Sequence, residues 1–339
     1  MKGTASLELI CIFHGVVKLS GRIGKYIFQP YMTKYTIMDN RNTPDQLVIS
    51  NEFGRAVFSP LAGSSLRSLQ IVTAEGDTCE LLTGGDGALD PLQLPRGTGS
   101  FMMCPWPNNI KQGILHAEGR TYELPTNGPQ NAAHGLTRDQ SWTLVNAEDT
   151  RIQLTTKLQD PWPFPGSVIF NAHLSGPALI MELKITNDGG DTFPAGFGWH
   201  PWFRRYIGDS TIRIKVPGQL SAWDIDTKRH GTGSETRVPG DLNLTRLVEP
   251  EIGKFDHCFR NEPKKPVKLQ WPDIATLLME SSTEMTHLVV YTPPESVCVE
   301  PISCTVDAFR LEAEGIKDTG TRHIQPGGGM SGWTKWSWG

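Results

Sequence analysis

Two runs decide the fold class: Val168-Ile169-Phe170-Asn171-Ala172-His173-Leu174 and, after Ser175-Gly176-Pro177, Leu179-Ile180-Met181-Glu182-Leu183-Lys184-Ile185. Val168, Phe170, Ala172 and Leu174 take every second position of the first run. Leu179, Met181, Leu183 and Ile185 do the same in the second. Side chains two residues apart share one face of an extended chain, so each run reads as a strand with one buried face. The Ser-Gly-Pro between them reads as a turn. Working outward, Ile212, Ile214 and Val216 alternate with Arg213 and Lys215 in the same way. The strand and turn rhythm runs from Gln46 to Trp338, and no stretch carries a helical stripe over more than two turns. Thirty-five glycines and 25 prolines fit many short connections. The expectation is an all-β protein, a large antiparallel β-sandwich.

The chain has 339 residues, enough for one large core. Residues 32–339 read as one sandwich domain. Residues 1–31 lack alternation and precede a polar stretch, Asp39 to Asp45, so they read as an N-terminal extension, either poorly ordered or upstream of the true start. A formal charge of -4, with no basic block beyond pairs such as Arg204-Arg205, argues against nucleic acid and anionic membranes as partners. No apolar run reaches the length of a membrane span. The six cysteines show no CxxC and no zinc spacing, which suggests reduced thiols, no metal and a cytoplasmic setting. Gly84-Gly85-Asp86-Gly87 and Gly327-Gly328-Gly329 lack the strand and helix of a nucleotide loop and read as turns. Gly231-Thr232-Gly233-Ser234 reads as a loop.

The chemistry concentrates in five places. Phe197-Gly198-Trp199-His200-Pro201-Trp202-Phe203 sets one titratable side chain among aromatics. The others are Cys104-Pro105-Trp106-Pro107-Asn108-Asn109-Ile110; His134-Gly135-Leu136; Phe255-Asp256-His257; and Tyr291-Thr292-Pro293-Pro294 with Val297-Cys298-Val299-Glu300-Pro301. Glu300 ends an apolar strand, where a carboxylate must face a pocket or find a partner. Flat apolar rings can lie under a pyranose, and a few polar groups can fix its hydroxyls. Each motif is weak alone. In this order and spacing, with Ile324-Gln325-Pro326-Gly327 before a last strand from Trp333 to Trp338, they resemble the aldose 1-epimerase (galactose mutarotase-like) family over roughly residues 46–335.

The resemblance implies a small-molecule sugar as substrate and no cofactor or metal. It implies mutarotation, in which one group removes the anomeric hydroxyl proton and another protonates the ring oxygen. The ring opens, the C1–C2 bond turns, and the ring closes on the other face. By the family pattern Glu300 is the base and His200 the acid, which requires His200 to hold a proton near neutral pH. His134 assists and Asp256 holds sugar hydroxyls, while Trp106 and Trp202, the tryptophans nearest these motifs, are the candidates for a stacking platform under the pyranose. The chain departs from the family at Asn109, where many members carry a sugar-binding arginine. Another residue supplies that contact, the preferred sugar differs, or catalysis is weakened. Two alternatives stay open. One is a hexose-6-phosphate 1-epimerase, for which Arg138 and one of Arg204 and Arg205 are phosphate candidates; the other is a non-catalytic sugar-binding module. Monomer and homodimer are both compatible with the sequence.

Overall fold

The computed structural model describes residues 43–85, 97–127 and 130–339. The expected N-terminal extension, residues 32–42 and Cys11 lie outside the described residues. Among the described residues the strands form a twelve-stranded sheet, an eight-stranded sheet and several two-stranded ribbons. All the pairings are antiparallel apart from one isolated bridge between Cys104 and Gly135.

The two runs that open the sequence reading form adjacent strands, Gly166–Leu174 and Ala178–Asn187. Val168 lies opposite Ile185, Phe170 opposite Leu183, and Ala172 opposite Met181. All of these are buried, while Asn171 and Glu182 pair on the other face. Gly176 adopts a left-handed φ of 55° in the turn, and the Ser175 N–H closes it on the Ala178 carbonyl at 2.9 Å. The last strand, Gly329–Trp338, lies on the other side of Ala178–Asn187 and is longer than the sequence suggests.

In the larger sheet five strands lie side by side: Ser100–Met103, Gly198–Pro201, Ser296–Ile302, His287–Tyr291 and Asp256–Asn261. Their two faces have different fates. Val297, Val299, Leu288 and Val290 join the main apolar core between the sheets. The opposite face carries a second cluster, in which Phe101, Met103, Val289, Cys258 and Ile302 meet Trp223, Val306 and Leu311. Leu311 comes from a single-turn helix, Ala308–Ala313, that folds back over the sheet. The segment is held by Asp307, whose Oδ1 accepts the Lys111 N–H at 3.1 Å and whose Oδ2 accepts from Arg310 Nε at 2.6 Å. Burying Leu311 completely contributes about 1.5–3 kcal/mol. Covered on both faces, the strand Ser296–Ile302 is buried at every position.

Two expectations change. Gly231-Thr232-Gly233-Ser234 is not a loop but the start of an edge strand, Gly231–Arg237, paired with Gln219–Ile225. Its polar, mostly exposed side chains give no apolar alternation because only one edge of it is paired. The Arg204-Arg205 pair is also spoken for. Arg205 is buried and donates to the carbonyls of Pro250, Pro293 and Ser296, while Arg204 Nε donates to the Leu82 carbonyl.

Candidate functional site

The geometry of the site begins with Gly198. Its strand is squeezed between two others, with Gly198 opposite both Met103 and Ile302. A Cβ on Gly198 would stand 2.6 Å from the Pro301 carbonyl oxygen, so only glycine permits this approach. Two residues on, His200 faces the second cluster beside Phe101, its register partner. On the neighbouring strand Glu300 points the same way, opposite Val289. The result is a buried pair drawn from positions 100 residues apart, with His200 Nε2 standing 3.3 Å from Glu300 Oε1.

Aromatic rings fix the imidazole. Trp202 stacks on His200 with ring centres 5.0 Å apart and planes 5° from parallel, and Phe101 approaches at 4.7 Å. Tyr291 meets Trp202 edge-on at 5.8 Å. His134 stands edge-on to His200, 5.3 Å away, with its Nδ1 3.1 Å from Met103 Sδ. His134 is held in a left-handed conformation, φ 64°, by its N–H bond of 2.6 Å to the Asn108 carbonyl. Such a backbone costs on the order of 1 kcal/mol or more and persists because the loop around it is pinned. Leu136 and Thr137 pin that loop by donating to the Cys104 carbonyl.

Burial weighs against a charged His200. Burial pushes His200 well below the usual histidine value, and the neighbouring His134 and the Arg138 guanidinium push the same way. Burial also pushes Glu300 well above the usual carboxylate value, against the pull of the Arg229 guanidinium. His134 falls to about 3, mainly by burial. The physical reason is desolvation: two adjacent charges with few polar neighbours cost more than one proton held on the carboxyl. Glu300 Oε2 and His200 Nδ1 are buried with no hydrogen-bond partner among the described residues, as is Trp202 Nε1. Unsatisfied atoms of this kind cost about 1–3 kcal/mol each and mark a place where a polar ligand has something to gain.

The remaining residues singled out from the sequence divide. Asp256 lies on the same face, opposite Tyr291, and forms an ion pair with Arg229. Asn109 stands farther out and donates through Nδ2 to the Arg229 carbonyl at 3.2 Å. Trp106 is a correction. It lies in the main core, stacked on Trp162 at 5.6 Å with its Nε1 donating to the Ala132 carbonyl, and offers no face to a sugar. Nearness in sequence to Asn109 does not put Trp106 on the site. Phe101, Tyr291 and Arg229 are the residues that sequence reasoning misses as site members. Tyr291 stood inside a quoted motif, whereas Phe101 becomes legible only once its register with His200 is known.

His200, Cys298 and Glu300 bring a nitrogen, a sulfur and an oxygen within 4.8 Å of one another. Burial holds the Cys298 thiol well above its usual value, as it does the carboxyl.

Residues 45–335 match the aldose 1-epimerase family, so the chain belongs to that family. Among curated proteins it is 25% identical over 233 residues to YihR, an uncharacterized protein of Escherichia coli K12, covering 65% of this chain and 74% of that one. Among solved structures, a galactose mutarotase-like protein from Clostridium acetobutylicum aligns with a TM-score of 0.74 at 17% identity, covering 86% of this chain and 94% of that one. The GalM/aldose epimerase homologue from C. elegans aligns with the same TM-score at 14% identity, covering 87% and 98%. At these identities the structural likeness carries the fold, and the fold is that of the galactose mutarotase-like proteins.

Proposed function

We propose that this protein is an aldose 1-epimerase that interconverts the α and β anomers of a free hexose, with Glu300 and His200 as its two proton carriers. The observation that carries this reading is the buried His200–Glu300 pair, 3.3 Å apart, with one unpartnered polar atom on each side chain. One carrier takes the proton from the anomeric hydroxyl as the C1–O5 bond breaks, and the other gives a proton to O5. After rotation about C1–C2 the two transfers run in reverse and the ring closes. The pair needs one proton and one vacancy. The resemblance assigns the base role to Glu300, whereas burial favours starting with the proton on Glu300 and the vacancy on His200. With Glu300 as base it faces the anomeric hydroxyl and His200 faces O5; with Glu300 as acid the two positions are reversed, and in either case ring closure returns each proton to the group that gave it. His134, neutral and edge-on to His200, keeps the imidazole in place and assists at the ring oxygen. Asp256 accepts hydrogen bonds from sugar hydroxyls. The commitment of Arg204 and Arg205 to backbone carbonyls, and of Arg138 to Asp139, gives no support to a phosphate subsite built on them. Five described cysteines are buried free thiols, which fits a reducing, cytoplasmic setting.

The test is polarimetry on fresh α-D-glucose and α-D-galactose with wild type, Glu300→Gln and His200→Asn. The expected result is acceleration by wild type and a fall of at least a hundredfold in each variant, with general acid–base contributions of about 10²–10⁴ each. A wild type that binds these sugars without accelerating them would establish the binding-module reading instead. Acceleration of a hexose 6-phosphate alone would establish the phosphate reading.

A further inference from the structure

A tight turn, Asp226 to His230, reaches over the site from the hairpin between strands Gln219–Ile225 and Gly231–Arg237. It is tied from several sides. Asp226 Oδ1 accepts the N–H groups of Lys228 and His230 at 2.8 and 2.9 Å. Buried His230 bridges Asp226 Oδ2 and Asn131 Oδ1 at 3.2 and 3.0 Å. Asn131 Nδ2 donates to the Lys228 carbonyl at 3.1 Å, and Asn109 Nδ2 to the Arg229 carbonyl at 3.2 Å.

So many ties on five residues hold one of them, Arg229, in a left-handed conformation with φ 64°. An arginine gains nothing locally from that conformation. What it achieves is direction. The guanidinium lies on the Asp256 carboxylate and 5.8 Å from the centre of the Tyr291 ring. Tyr291 contacts Trp202, which stacks on His200, so the cation closes the open end of the aromatic wall around the buried pair. Half of the side chain is exposed, so a ligand can reach it.

We infer that Arg229 is a substrate-binding residue of this site, and that Asn109 positions it by bracing its carbonyl. The inference rests on the sugar-epimerase reading of the same site. Arg229 and Asp256 form a donor and acceptor couple. The guanidinium donates to sugar oxygens while the carboxylate accepts from neighbouring hydroxyls, so two adjacent hydroxyls of a neutral pyranose replace part of the ion pair. The adjoining carboxylate repels a phosphate, which directs the couple to unphosphorylated sugars. The charge that position 109 lacks thus arrives from a turn 120 residues away in sequence. The same guanidinium is the charge that draws the Glu300 carboxyl back toward ionisation.

The test measures mutarotation kinetics and, independently of turnover, sugar affinity from tryptophan fluorescence, for wild type, Arg229→Ala, Arg229→Lys and Asn109→Ala. Thermal unfolding confirms that each variant is folded. Arg229→Ala is expected to raise both KM and Kd for the free aldose by at least about tenfold, the size of a lost charged hydrogen bond, with the loss falling on KM rather than kcat. Arg229→Lys keeps the charge without the fork and falls between. Asn109→Ala raises KM less, because other ties hold the turn. Unchanged KM and Kd in Arg229→Ala, or a loss confined to kcat, overturns the inference while leaving the epimerase reading intact. A loss confined to a sugar 6-phosphate overturns it too. A wild type that neither turns over nor binds a free aldose overturns both readings.

Discussion

His200 and Glu300 can each be ordinary residues; their adjacency inside an apolar cluster is what recommends them as the proton-exchanging couple of the proposed reaction. The opposite shifts have a kinetic signature. The state with one proton on the pair extends from below the usual histidine value to above the usual carboxylate value. The rate of mutarotation should therefore show no break at about 6.5, where an ordinary imidazole loses its proton. A single break near 6.5 in kcat would show that His200 titrates as a solvated group. Stability moves in a related way. Glu300 has its folded value raised, so its contribution to stability is lost as pH rises above the ordinary carboxylate value of 4.5. Glu300→Gln carries no such term, so its stability relative to wild type should grow as pH rises above about 4.5 while its activity is lost. Denaturant midpoints across that range measure the difference. The identities of these two residues were legible through the family motifs. Their protonation was not, because burial depends on the rings and neighbouring strands that pack around them.

At the scale of single elements, the strand Gly198–Pro201 shows what spacing alone hides. Its length and its aromatic neighbours could be read, but its closeness to two partner strands depends on one missing methyl group. Gly198→Ala should cost roughly 1–3 kcal/mol through overpacking. It should also lower kcat/KM by about a hundredfold, since displacing a reacting group by about 1 Å is enough for that. Thermal unfolding and polarimetry on one preparation separate the two effects; a variant with lowered stability and full activity would show that the strand spacing does not set the pair. Strands with one solvated face, such as Ala178–Asn187, announced themselves by alternation. The doubly covered Ser296–Ile302 offered only a short apolar run interrupted by Glu300. Trp106 was misplaced for a related reason. Its neighbours in sequence approach the site, yet its own ring turns into the other core.

Across the whole molecule, several histidines are stored neutral in the interior. His134 and His287 are both depressed to about 3, chiefly by burial. Unfolding releases them to ordinary values near 6.5, so the unfolded chain takes up protons that the folded chain refuses. Stability contributed in this way is present above about pH 6.5 and is lost as pH falls toward 3, at up to about 1.4 kcal/mol per pH unit for each residue. Urea titrations at pH 7 and pH 5 should show a loss of roughly 2 kcal/mol for each of the two, and replacing His287 by Gln should remove its share of that pH dependence. A His287→Gln variant with the same pH dependence as wild type would show that this imidazole accepts a proton without unfolding. The all-β class and the family's reach were legible in the chain. The turn that brings Arg229 over the site was not, because its sequence, Asp226-Thr227-Lys228-Arg229-His230, reads as any polar hairpin turn.

The strand that carries Glu300 has both faces covered, pairs with His287–Tyr291 over residues 298–302, and meets Phe203–Arg204 and Gly198 at the two ends of its other edge. Its backbone amides should be slow to exchange with solvent. Glu300 thus sits on a strand buried at every position, while Arg229 and Asp256 lie at the solvated rim. In the proposed reaction a sugar meets the solvated Arg229–Asp256 couple first and reacts against groups locked in the sheet, so loss of the reacting geometry and loss of the fold are one event.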